Sequence, residues 1–577
     1  MFKNFLRKTR QIADDPVLRQ WLVRRLTLRA SAPALFTAHR PPYLDGFSVS
    51  ASSPSITPGD FRPLAATLPK GAIELPLAGL TLKLDPGDEK EVFQRSYKDI
   101  ETLLALHRFA WLPLRGGEAA QNWAQALWNV WRESFGELGD GWAWHPYTAA
   151  ERAINILDLA ETQGLPEPVD DTLAVLARHA EAIFQRLEYF GDHDTSNHLS
   201  NNGRGLYRLG LALDLDWATE AGARILEQES KRILLTSGVL REGSSHYHLL
   251  ITRNYVDAWL AARRHGRAEE PGLRDIASRA LAVVPWLVLP GGMPLVGDIS
   301  PDCSPEHLLG LTGANIGWVA GLCEDDRSAV LALIDDVRPV DAEQLASDGW
   351  HRLSSGPWTG LWHCAPKGWA EAPGHGHQDT GGFELHFNDI PLLVDPGRGA
   401  YGEDGEAARY RSAEVHNTLT VSGCEPYPVN KPYYDDAFRT TITGAQPVVT
   451  SGGDEVRLEH FGFQRLTGVG ALSRQWRFTE KTMSLSDSLQ GRGTRRITRR
   501  FMTPLKAEAG AGAGGIVLTH NGSGGTQSFL LHSPDAVAVV SKTTLWQAYG
   551  RGREGFAITF STEAPLPWSG EIRLEAI

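Results

Sequence analysis

In the middle of the chain, apolar residues return every three to four positions. The stretches "QNWAQALWNVWRESF", "AAERAINILDLAETQ", "DDTLAVLARHAEAIFQRLEYF" and "YHLLITRNYVDAWLAARRHG" show this spacing, which predicts helices from about Val92 to Ala346. Glycine, proline and aspartate punctuate them, so the helices are of similar length and joined by short loops. Such hairpins stack into a bundle, an arc or a toroid, and periodicity alone does not choose among the three. After about Gly349 the pattern changes to short runs rich in Val, Thr, Phe and Trp, such as "GFELHF", "NTLTVSG", "RQWRFTE" and "FAITFST", separated by turn residues. These predict an all-β sandwich or barrel. The tract "AEAGAGAGGIVLTHNGSGGTQ" reads as a long hairpin connection. Three segments result: residues 1–91, a basic helix and a proline-rich stretch leaning on the helical domain; 92–346, the helical domain; and 347–577, the β domain.

Composition narrows the class. The chain has 577 residues, more than one core can absorb, of which 42% are hydrophobic and 22% charged, and no apolar run approaches the ~20 residues of a membrane span. The basic start "MFKNFLRKTRQ" lacks an apolar signal region, so a cytoplasmic location is expected, with the periplasm as the alternative. Cys303, Cys323, Cys364 and Cys424 form no CxxC pair, which argues against a disulfide framework and a cysteine zinc site. A net charge of −12 removes generic attraction to nucleic acid, so an anionic ligand requires a local basic patch. A homo-oligomer is possible.

Three polar clusters carry candidate chemistry. In "GDHDTSNHLSNNGRGLYRLG", Asn197, His198, Asn201 and Asn202 open a predicted helix and Arg204 lies one turn in. Capping explains one or two of these, and the remainder suit a carboxylate held at a helix N-terminus. In "LREGSSHYHLL", Glu242 precedes His246, Tyr247 and His248. A tyrosine among histidines can act as acid or base, and nearby cationic groups are expected to favour its ionised form. The alternative places the Tyr247 ring in the core. The third cluster, "GHGHQDTGGFELHFNDIPLLVDPGRGAYGEDGEAARYRSAEVHNTLTVSG", puts His375, His377, Asp395 and His416 at the ends of successive predicted strands. If extended, His375 and His377 point the same way. His377, Asp395 and His416 form a two-histidine, one-carboxylate set suited to zinc.

At these clusters the sequence resembles the heparinase II/III superfamily of polysaccharide lyases. The resemblance rests on the order of "NHLSNNGRGL", "REGSSHYHLL", "LPGGMPLVGDIS", "GHGHQDTGGFELHF", "LLVDPG" and "RYRSAEVHNTLTVSG" over roughly residues 100 to 577. It implies an incomplete α/α toroid followed by an antiparallel β-sandwich, with the site in the cleft between them. It also implies β-elimination at a uronic acid: Asn197 or His198 neutralises the carboxylate, Tyr247 transfers protons, and His375 is the β-domain histidine. The resemblance further implies a structural zinc on His377, Asp395 and His416. Arg204, Glu242, His246 and Arg411 are expected to contact an acidic polysaccharide or oligosaccharide.

In such an elimination the C5 proton is removed by Tyr247 or His375, and the division of base and acid depends on whether C5–H and O4 are syn or anti. A glycoside hydrolase using Glu242 and Asp298 is one alternative. A non-catalytic carbohydrate-binding protein of exopolysaccharide production is another.

Overall fold

The computed structural model describes residues 12–27, 37–49, 61–510, 515–522 and 525–577. The basic start of the chain, part of the proline-rich stretch and the centre of the glycine-rich tract lie outside these residues.

Nine helices of nine residues or more, Ile100–Arg108, Glu118–Phe135, Pro146–Thr162, Val169–Gln185, His198–Leu213, Asp216–Ile233, Ser245–Arg264, Glu270–Leu281 and Glu324–Asp336, form the first part of the described chain beyond residue 91. They stack as successive antiparallel pairs, His198–Leu213 on Asp216–Ile233 and Ser245–Arg264 on Glu270–Leu281. Small residues set the first spacing. A Cβ on Gly222 would lie 2.4 Å from the backbone nitrogen of Tyr207 and 2.7 Å from the carbonyl of Gly203, so only glycine lets these two helices approach so closely. Elsewhere the core is aromatic. Trp123, Trp128 and Trp131 share one face of their helix, and the buried Arg152 guanidinium lies 3.9 Å from the Trp131 ring while its Nε donates to His179.

The second part is antiparallel β structure. One sheet has eight strands in the order Lys506–Ala509, Ile516–Gly522, Gly525–His532, Trp568–Ala576, Thr482–Gly491, Val469–Phe478, Glu455–His460 and Val448–Gly452. A four-stranded sheet, Ala538–Ala548, Arg551–Pro565, Thr494–Thr503 and Leu419–Val421, and another, Trp350–Ser355, Trp358–His363, Gly382–Phe387 and Ile390–Leu393, complete it. Alternation puts Trp362, Phe383, Trp476, Phe501 and Phe560 inward into one shared core. The architecture is an incomplete α/α toroid followed by an antiparallel β-sandwich. The strands flanking the glycine-rich tract pair as the expected hairpin. Among the described residues no helix is long and apolar enough to cross a membrane, and none of the four cysteines is in a disulfide.

The N-terminal segment divides its contacts, contrary to the expectation that it leans on the helical domain. Leu44, Leu64, Leu75 and Leu84 do enter the helical core. Helix Pro16–Leu26 instead packs on the β domain, where Val17, Leu18 and Trp21 join Trp369, Tyr427, Tyr434 and Phe438. The indole of Trp21 decides this, with its ring centroid 4.4 Å from that of Tyr433.

Arg204, expected at the substrate, also belongs to the scaffold. Its side chain is 2% exposed, with Nε donating to Asp257 at 2.7 Å and Nη1 to Glu151 at 3.0 Å. One turn further, Arg208 donates to Asp257 and Asp158. This layer of arginines neutralises carboxylates from facing helices, so removing one partner strands a buried charge. Arg204→Ala should lower stability by about 3 kcal/mol, read as a shifted denaturation midpoint with an unchanged slope.

Candidate active site

Three backbone segments meet where the two parts of the chain adjoin. The His375 N–H donates to the Glu242 carbonyl at 2.8 Å, and the Asp298 N–H donates to the His375 carbonyl at 2.9 Å. Gly297 makes this possible: at φ +78°, a Cβ there would lie 2.5 Å from the Gly243 carbonyl oxygen and 2.8 Å from that of His375. The Ser244 hydroxyl accepts from the Tyr247 N–H, capping helix Ser245–Arg264, and donates to the Asp298 carbonyl. The start of that helix is thereby fixed to the segment that carries Asp298.

Asp298 is the hub. Its Oδ2 lies 3.1 Å from His375 Nδ1, its Oδ1 lies 2.9 Å from His377 Nε2, and Arg398 Nη1 donates to both oxygens at 2.9 and 3.1 Å. The two histidines of the HxH motif thus face the same way and share one carboxylate. Burial alone would raise the acid's pKa, but the bonds from His375 and His377 and the charge of Arg398 outweigh it and hold Asp298 well below the usual carboxylate range. An ionised carboxylate only accepts, so His375 carries its proton on Nδ1 and presents Nε2 as a base. That nitrogen lies 3.5 Å from Asn197 Nδ2 and 3.4 Å from Glu242 Oε2.

Asn197 occupies the N-cap position of helix His198–Leu213, yet its side chain makes no cap bond. Its backbone N–H and its Nδ2 donate to the two oxygens of Glu242, at 2.7 and 2.8 Å. Its Oδ1 is buried without a partner. Glu242 is fully buried, so it positions Asn197 and His375 and is not available to substrate as expected. His198 is partly exposed, with Nδ1 2.8 Å from Glu188 Oε1, and its ring lies over Tyr147 at 4.6 Å between centroids. Asn202 donates to the other Glu188 oxygen.

The Tyr247 ring stacks on the His375 ring, with centroids 3.6 Å apart and planes 8° from parallel. Its hydroxyl is 2.5 Å from that of Tyr401. Burial, and then the nearby Asp302 carboxylate, raise its pKa well above the ordinary phenol value. This corrects the expectation that cationic neighbours favour the ionised form, because the charges that reach the phenol are carboxylates. Tyr247 is a neutral phenol at neutral pH.

Of the remaining expected contacts, His246 is fully buried and its Nδ1 accepts from the Ser300 N–H at 3.0 Å. Burial pushes its pKa down to about 3, so it is a neutral strut for the Asp298 segment rather than a substrate contact. Arg411 stays partly exposed, 3.5 Å from Glu403, and its carbonyl accepts from the Gln378 N–H beside the HxH motif. Among Arg204, Glu242, His246 and Arg411, it alone reaches solvent.

His377, Asp395 and His416 offer ligand atoms that all lie within 4.8 Å of one another. His377 Nε2–H is committed to Asp298, and His416 Nδ1–H donates to the Ser412 carbonyl at 2.8 Å. Their other nitrogens face each other at 3.0 Å, with Asp395 Oδ1 3.7 Å from His416 Nε2. Two lone pairs so opposed would repel, and either a shared proton or a cation between them removes the conflict. Burial pushes the His377 pKa down to about 4 and raises that of Asp395. The residues fit a metal ion.

Tyr401, Arg398 and Glu188 complete the site; of these the sequence points only to Arg398, as one of several arginines around the motifs. Tyr401 and Arg398 lie inside the third cluster, in "DPGRGAYGED", but no periodicity marks them. Asp298 was noted only as a possible hydrolase carboxylate.

Residues 337–565 match the domain described as heparinase II/III-like, C-terminal. No curated protein matches the sequence. Among solved structures, a heparinase III aligns over 84% of this chain and 79% of its own at 16% identity and a TM-score of 0.64. A second heparinase III gene product aligns over 84% and 80% at 17% identity and a TM-score of 0.57. A mutant of heparan sulfate lyase HepC from Pedobacter heparinus aligns over 86% and 80% at 15% identity and a TM-score of 0.55. The β part of the chain thus matches the heparinase II/III-like C-terminal domain, and the chain as a whole shares its fold with these solved structures.

The facing imidazole nitrogens carry a direct test. Protein purified without chelators should contain about one equivalent of metal per chain, and His416→Ala should lose it and lower the melting temperature. Metal-free wild-type protein of full thermal stability would contradict the fit.

Proposed function

We propose that the protein is a polysaccharide lyase that cleaves an acidic polysaccharide or oligosaccharide at a 4-linked uronic acid by β-elimination, leaving unsaturated uronate ends. The convergence of Asn197, His375 and Tyr247, with the Nδ1 of His375 directed at Asp298, carries this reading. The structural neighbours named as heparinase III and heparan sulfate lyase support it as a class.

In the proposed reaction, the second Nδ2 hydrogen of Asn197 and the exposed edge of His198 meet the uronate carboxylate. Offsetting that charge acidifies C5–H and stabilises the enolate-like transition state. His375 Nε2 takes the C5 proton, and Asp298 stabilises the imidazolium that forms. Tyr247, neutral and hydrogen-bonded to Tyr401, supplies a proton to the departing O4. We assign the ion on His377, Asp395 and His416 as zinc. When bound it would tie together the loops that carry these residues and orient His377, which shares Asp298 with His375.

The hydrolase alternative requires a protonated carboxyl flanking the bond and a free carboxylate opposite. Asp298 is held ionised by three donors and Glu242 is engaged by Asn197, so neither is free for these roles.

The test is a panel of uronic-acid polymers assayed for the far-ultraviolet absorbance of unsaturated ends. Tyr247→Phe should abolish turnover while retaining binding, and Asn197→Ala should cost on the order of 10² to 10³ in rate. Reducing ends without unsaturation, or full activity in Tyr247→Phe, would overturn the reading.

A further inference from the structure

Glu188 is a buried carboxylate with which, among the described residues, no lysine or arginine pairs. It lies just beyond helix Val169–Gln185, and Asn202 fixes it twice. The Glu188 backbone N–H donates to Asn202 Oδ1 at 3.1 Å, and Asn202 Nδ2 donates to Glu188 Oε2 at 3.0 Å. The other carboxylate oxygen, Oε1, accepts from His198 Nδ1 at 2.8 Å and lies 3.6 Å from His145 Nε2. His198 stands one helical turn before Asn202, so both reach the same carboxylate from one face of helix His198–Leu213. A buried carboxylate stays ionised only where a counter-charge meets it, and here the two imidazoles are the groups that can supply one.

The surroundings decide which imidazole is charged. His198 gives Nδ1 to Glu188 and leaves Nε2 without a protein partner among the described residues, in a side chain that is 42% exposed. Its ring lies over that of Tyr147, whose hydroxyl donates to Asp302 at 2.6 Å, and the face of such a ring attracts a cation. Glu242, Asp302 and Glu101 add negative potential from the facing segments, against Arg108 and His145. Burial alone would lower the His198 pKa, but the Glu188 carboxylate outweighs it and holds the value above that of an ordinary histidine. Burial lowers the pKa of His145, and the charges of His198 and Arg108 lower it further. One positive charge therefore serves Glu188, and it sits on His198.

We propose that Glu188 is a positioning residue that keeps His198 an imidazolium with Nε2–H presented to the substrate, so that a uronate carboxylate meets a full positive charge beside the Asn197 amide. The role in catalysis rests on the lyase reading, whereas the charge state of His198 does not. A charge-assisted bond is about twice as strong as a neutral one, so the ionised, unesterified uronate is the form this pair selects. His198 loses its proton on the alkaline side, and without the Glu188 charge it loses it at lower pH.

The experiment follows the His198 imidazole by NMR in the full chain, with histidine labelled at 13Cε1 and the resonance assigned by its absence in His198→Gln. Wild type should titrate above the ordinary histidine value of 6.5, and Glu188→Gln should titrate at lower pH than wild type. On a polymer that the enzyme cleaves, Glu188→Gln should lower kcat/KM about tenfold at the alkaline end of the profile and little at the acid end, the effect of one lost ionic contact. Glu188→Asp, which keeps the charge, should retain most of the wild-type alkaline activity. If Glu188→Gln fails to fold, the wild-type titration decides the charge state. Titration of wild-type His198 at or below 6.5, an unchanged titration in Glu188→Gln, or a loss of rate equal at every pH would each overturn the proposal. If no uronate polymer is cleaved, the lyase reading fails and the NMR titration still decides the charge on His198.

Discussion

The Asp298 carboxylate is the constraint on which the rest of the site depends. A buried carboxylate is unfavourable unless every lone pair is used, and here His375, His377 and Arg398 use them. The same bonds that keep Asp298 ionised fix which nitrogen of each histidine carries a proton. His375 is left with Nε2 bare toward Asn197, and His377 is left with Nδ1 bare toward His416. One charge therefore prepares a base on one side and a metal ligand on the other. The second buried carboxylate, Glu242, does the same for the amide, drawing both the backbone and the side-chain N–H of Asn197.

These two carboxylates come from the helical half of the chain and the histidines from the β half, so the site exists only when the halves are docked. The docking rests on backbone contacts that side chains would obstruct, as the crowding around Gly297 shows. Helix Ser245–Arg264 is tied into the same seam through Ser244, which places the Tyr247 ring flat on His375. Burial then leaves Tyr247 a neutral phenol, suited to giving a proton. The chemistry of each group thus follows from its surroundings and not from its residue type alone.

Much of this was legible in the sequence. Helical spacing and strand alternation separate the two halves, and the family resemblance singles out Asn197, Tyr247 and His375, which the fold brings within contact of one another. The HxH spacing put His375 and His377 on one side, as two bonds to one carboxylate require. Three kinds of information were not legible. Arg204 and His246 sit beside the motifs in sequence, but their directions on the helix take them to Asp257 and Ser300. The pKa of Tyr247 depends on Asp302, 55 positions away in the chain. Tyr401 meets Tyr247 only because the halves dock, and Trp21 reaches the β domain across more than 400 residues of chain. Such pairings are set by tertiary packing, which local patterns do not encode.

The measurement that bears most directly on the account is the Asp298→Asn variant, assayed for bound metal and for formation of unsaturated ends on the same preparation. An amide keeps one acceptor oxygen and presents a donor in place of the other, so one of the two histidines loses its acceptor and both lose the negative charge they share. The account predicts that metal content and elimination rate fall together in Asp298→Asn, whereas Tyr247→Phe loses the rate and keeps the metal. Asp298→Asn protein retaining full metal and wild-type rate would contradict it.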